Sequence, residues 1–158
     1  MKCYVFLREP AGSEYADLID FCCSLASKMI LVVRDPQVDP GHAIRQRLAQ
    51  LQPYCIKALR ACEWPGTILY GDEAEVYWYQ ITPDLQQCMK ELASHLFEWV
   101  HPDAPEDPCF FRDDGQVISV TVSHERDAYL MLTEDEFITL EERFPGLATI
   151  LRKEGEAE

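Results

Sequence analysis

The side chains best placed to do chemistry are acids and imidazoles in two short runs, His101-Pro102-Asp103-Ala104-Pro105-Glu106-Asp107-Pro108 and His124-Glu125-Arg126-Asp127. Pairing residues 109–112 with 117–123 across a turn at 113–116 sets Cys109 opposite Val120. The same ladder carried onward sets His124 opposite Pro105. The two runs therefore meet at one edge of a sheet, and there they gather His101, Asp103, Glu106, Asp107, His124, Glu125 and Asp127 around the single cation Arg126. Carboxylates that close repel one another unless a cation lies between them. Three fates are open to such a cluster. It can receive a Lys/Arg-rich protein through charge-assisted pairs and long-range steering. It can hold zinc or manganese, which suit imidazole and carboxylate. Or its members are solvated loop residues, with Arg126 neutralising a neighbour. No His-x-x-x-His spacing supports the metal.

A second constellation is Asp72, Glu73 and Glu75 beside Tyr77 and Tyr79. On a strand over 75–81 the tyrosines share the outward face with Glu75, while Val76 and Trp78 face the other way. Carboxylates interleaved with tyrosines make a receptor for arginine or lysine, with charge pairing at one end and ring-face contact at the other. The competing reading covers both tyrosines with a helix as ordinary core. The opposite pole is a helix over 40–62, which carries Arg45, Arg47, Lys57 and Arg60 with no acid, and His42 in its first turn. His95 reads as a structural residue at the border of an apolar face.

Nucleophilic chemistry finds little support. His124 lies four residues beyond the partner of Cys109, roughly 13 Å away along a strand, which disfavours a Cys–His dyad. Gly-x-Ser-x-Gly, Gly-x-x-x-x-Gly-Lys and Gly-x-Gly-x-x-Gly are all absent, and only seven glycines are available for phosphate cradles. The seven cysteines contain no Cys-x-x-Cys pair. They read as small buried hydrophobes in a reducing compartment. Cys22-Cys23 is the exception: on a helix only one of the two faces the core, so the other is the better candidate for a reactive thiol.

Charge gives the broader context. The 158 residues carry 14 Lys/Arg and 28 Asp/Glu, a net charge of −14. Residues 1–65 hold eight cations and seven acids, net +1; residues 66–158 hold six and 21, net −15. Such a field repels nucleic acid and anionic membrane and attracts basic partners. No apolar run approaches the roughly 20 residues of a membrane-spanning helix, and no signal-peptide pattern opens the chain, so a cytoplasmic protein is expected. Its folded surface should be roughly 8,100 Å².

The elements that position these residues read in the order β-α-β-α-β-β-α-β-β-β-α. Met29 to Val33 is continuously apolar, the mark of a central strand buried on both faces. Thr82-Pro83 opens a helix, and Thr133-Glu134-Asp135-Glu136 is a capping box for the last one, disturbed by Pro145-Gly146. Residues 67–70 and 75–81 read as a hairpin, as do 109–112 and 117–123, and residues 152–158 read as a frayed tail. The expected fold is one α+β domain over 1–158: a single, mostly antiparallel sheet of up to seven strands with about four helices packed on it.

The expected function is a non-enzymatic acidic module for a basic protein partner, in its concrete form an immunity or inhibitor protein that masks the cationic groove of a toxin nuclease, without a cofactor. Its binding residues are Asp72, Glu73, Glu75, Tyr77, Tyr79, Asp103, Glu106, Asp107, His124, Glu125 and Asp127. The alternatives are a zinc- or manganese-dependent hydrolase or regulator built on the 101–107 and 124–127 loops, and a homo-oligomerisation module in which one copy's acidic pole meets another's basic helix.

Overall fold

The computed structural model describes residues 1–156. Eight strands form one sheet in the order β10-β1-β9-β8-β7-β2-β6-β3, every neighbouring pair antiparallel. They are β1 (Lys2–Phe6), β2 (Lys28–Val33), β3 (Cys55–Ala61), β6 (Ala74–Gln80), β7 (Glu106–Phe111), β8 (Val117–Val122), β9 (Asp127–Leu132) and β10 (Leu151–Lys153). Two short strands, β4 (Glu63–Trp64) and β5 (Thr67–Ile68), make a separate hairpin. The helices are α1 (Ser13–Leu25), α2 (His42–Leu51), α3 (Pro83–Leu92), α4 (Glu134–Arg143) and the single turn α5 (Pro145–Ala148). This is the α+β architecture expected, with eight strands in the main sheet where at most seven were expected, because β3 and β10 join it and residues 67–68 leave it for the small hairpin; its exposed surface of 8067 Å² matches the size expectation.

β2 is the central strand its apolar run announces: every residue from Met29 to Val33 is buried, between β7 on one side and β6 on the other. One face of the sheet carries the main core. Met29, Leu31, Tyr79, Phe110 and Leu130 pack there against Leu18, Phe21, Leu85 and Met89 of the helices. Within it the Trp99 indole donates to the Tyr15 hydroxyl (2.8 Å), which donates to the Met89 carbonyl (2.6 Å). The capping box at Thr133 and Glu136 forms as the sequence implies.

The other face is covered only in part. Ile30, Val32, Val76, Cys109 and Val120 pack beneath Trp64 of the small hairpin. Gly66 sits at its tip with φ 86°, and a Cβ there would lie 2.7 Å from Val122 Cγ2. Only glycine lets the hairpin come down onto β8.

Three elements differ from the sequence reading. The helix expected over 40–62 stops at Leu51, because Pro53 lacks the N–H and crowds the preceding turn; a 3-10 turn over 52–54 then hands the chain to β3. The helical spacing of Cys55, Leu59 and Cys62 is coincidental on a strand whose residues are mostly exposed. Residues 67–68 pair with β4 rather than with β6, which sits between β2 and β3 instead. Arg152 and Lys153, expected in a frayed tail, pair with Val5 and Tyr4 as β10; residues 157 and 158 lie outside the described residues.

Candidate functional site

One end of the sheet collects nearly all the residues singled out by chemistry. β2 and β8 finish there and β6, β7 and β9 start there, so Asp35, Glu73, Glu106, His124 and Asp127 stand at successive strand ends. The register inferred for β7 and β8 holds at Phe110 and Ser119, one pair along from Cys109 and Val120. The two acidic runs do converge: ligand atoms of Glu106, Asp107 and His124 lie within 4.8 Å of one another.

That convergence is closed from inside the chain. Glu106 and Asp107 are strand residues, 6% and 0% exposed, not solvated loop residues. Asp107 adopts a left-handed backbone (φ 55°) within the irregular stretch where β7 shifts register against β2. Its carboxylate accepts from the Trp64 indole (2.9 Å) and the Ser123 amide (2.8 Å), and its own amide donates to Ser123 Oγ (3.1 Å). Arg34, at the end of β2, supplies the counter-charge. Its Nε lies 3.3 Å from Glu106 Oε2 and its Nη2 3.7 Å from Asp107 Oδ2. The guanidinium also donates to His124 Nδ1 (3.0 Å) and lies 5.2 Å from the centre of the Trp64 ring. A guanidinium only donates, so His124 Nδ1 is unprotonated in this arrangement. Of the seven residues of the metal alternative, these three come together with Arg34 already among them. His101, Asp103, Glu125 and Asp127 remain exposed around the rim. Arg126 does not neutralise its sequence neighbours; it reaches Glu9 (3.0 Å), which also takes His95 (2.6 Å).

The expected tyrosine receptor does not form. Tyr79 is 1% exposed and Tyr77 half-buried on the helix-covered face, because β6 is an interior strand rather than the outer arm of a hairpin. Glu75 on the same face faces Arg60 (3.7 Å). The basic helix dissolves as well: Arg45 pairs with Asp39, Arg47 with Glu98 (3.5 Å), and Lys57 and Arg60 belong to β3. Cys23 is no reactive thiol, since burial pushes it up to about 12; Cys109 rises to about 12 for the same reason.

What stays open is a cleft of about 650 Å³ between residues 35–38 and 69–73, with Cys62 at its side. Asp35, Asp72 and Glu73 line it, all exposed and none within ion-pair distance of a cation among the described residues. Tyr70 stands beside them 89% exposed. Sequence reading found Asp72 and Glu73 but missed Asp35 and Tyr70. The signal was present in Asp35-Pro36, a polar stop one residue past the central strand.

Comparison with known proteins supplies no relative: no family model, curated protein or solved structure matches the chain.

Proposed function

We propose that the protein is a binding module that receives a cationic group of a protein partner in the Asp35–Asp72–Glu73 cleft. The observation that carries this reading is that three carboxylates share one cleft without a cation in ion-pair distance among the described residues, in a fold that neutralises Glu106, Asp107, Glu9 and Glu75 internally. A lysine or arginine entering the cleft would relieve their mutual repulsion, and the Tyr70 ring offers it a face. The net charge of −14 steers such a partner from a distance. An inhibitor or immunity protein that masks a basic, phosphate-binding groove is the concrete form. Calorimetric titration with a lysine/arginine-rich peptide tests it: binding should weaken steeply as salt rises, and Asp72→Asn with Glu73→Gln should abolish it. Binding indifferent to both salt and these substitutions would refute it.

A second reading, a divalent-metal site at Glu106, Asp107 and His124, draws on their 4.8 Å convergence. Zinc or manganese would have to displace Arg34. A thermal shift with either ion that His124→Ala removes would favour it, and no shift with either would dismiss it.

A further inference from the structure

β3 is an edge of the eight-stranded sheet, and its outer side pairs with no strand among the described residues. It is seven residues long, five of them exposed. Past a register shift between Cys55 and Lys57, its regular part over 57–61 presents about 16 Å of edge at roughly 3.3 Å per residue, with outward N–H and C=O groups that pair with no strand among the described residues. Edges of that length in folded proteins are usually shortened or covered, because they template the addition of another strand.

The sheet face beside this edge is also open. The small hairpin stops short of Trp78 and Phe111, and two grooves of about 300 Å³ flank that pair. Leu59 opposes Val76 in register and so shares this face; it is 49% exposed. A strand laid along β3 would place every other side chain on the face shared by Leu59 and Trp78.

The two ends of β3 differ in charge. Beside its start, Lys28 and Lys57 rim a groove that also holds Arg112 and Asp113; neither lysine lies within ion-pair distance of a carboxylate among the described residues, and the Lys57 ammonium is 5.4 Å from the centre of the Trp78 ring. At its end the chain passes through Cys62 into the acidic cleft. A second copy is a poor occupant, since β3 against itself would crowd Lys57 and Arg60 of both copies and join two chains of net −14.

We infer that the partner enters as an extended strand along β3. Its cationic end occupies the Asp35–Asp72–Glu73 cleft, its apolar side chains fill the grooves beside Trp78, and its acidic end meets Lys28 and Lys57. This rests on the cleft reading and adds the partner's backbone conformation and charge order.

The probe is a synthetic peptide with lysines at one end, glutamates at the other and alternating valine and threonine between. It is compared with a form N-methylated at alternate residues and with the same composition scrambled. The ordered peptide should bind, scrambling should weaken it, and N-methylation on the pairing edge should cost about tenfold or more. Amides of residues 55–61 should gain hydrogen-exchange protection. Leu59→Glu, at an exposed position the fold tolerates, should weaken binding similarly. Binding that depends on Asp72 and Glu73 but ignores N-methylation and leaves β3 unprotected overturns the strand inference while the cleft reading stands. Failure of the ordered peptide where a lysine-rich peptide still binds does the same. Binding of either peptide indifferent to Asp72→Asn and Glu73→Gln overturns the cleft reading and the charge order with it.

Discussion

Glu106 and Asp107 on one side, Asp72 and Glu73 on the other, stand at the same end of one sheet, yet the chain treats them in opposite ways. The first pair is drawn into β7, stripped of water and met by Arg34, Trp64 and Ser123. The second stays in water around a cleft that no cation lines among the described residues. A count of acids in the sequence weighs both pairs equally. The fold separates them by whether a neighbouring strand end delivers a counter-charge. A buried carboxylate with its cation is architecture; an exposed trio without one can accept a cation from elsewhere.

The comparison breaks most visibly under substitution. Arg34→Met strands two buried carboxylates and should cost about 3 kcal/mol or more in urea unfolding. Asp35→Asn, Asp72→Asn and Glu73→Gln should each stay within about 0.5 kcal/mol of the parent, because they remove solvated charges. Equal losses at the two regions would erase the distinction drawn between them.

Alkali sharpens it by lowering stability without touching the cleft acids. Cys23 and Cys109 are held up to about 12 and Cys22 well above its ordinary 9.0, in each case chiefly by burial. The folded state thus favours the neutral thiol; its contribution is whole below pH 9 and is lost as pH rises toward 12. Under reducing conditions the urea midpoint should fall between pH 9 and 11. A flat midpoint would contradict the burial of these thiols.

The smallest effect is a local one. Cys62, exposed beside the cleft, should react with a maleimide before the fully buried Cys22 and Cys109, and bound lysine-rich peptide should slow it several-fold. Labelling at the same rate with and without peptide would separate Cys62 from the binding region.

Much of this arrangement was legible in the sequence. The apolar run 29–33 gave the central strand, Thr133 and Glu136 the last helix, and the turn at 113–116 a register good enough to bring His124 to Glu106 and Asp107. Hidden were the features that depend on non-local pairing. Nothing near Arg34 in sequence announces that β2 ends between two acids more than 70 residues away. Tyr77 and Tyr79 alternate with Val76 and Trp78, and alternation alone does not say which face the helices cover. The edge strand was masked by apolar residues whose spacing suits a helix; Pro53 marks a kink or split in that pattern but does not say that a strand follows it.

The most direct test follows a lysine/arginine-rich peptide by amide chemical shifts on isotope-labelled protein. Shifts should concentrate at residues 35–38 and 69–73, spread along 55–61 when the peptide is extended, and leave Ser123 and Asp107 in place. Shifts centred instead on residues 106–107 and 123–124, or scattered over the acidic surface without a focus, would contradict the account.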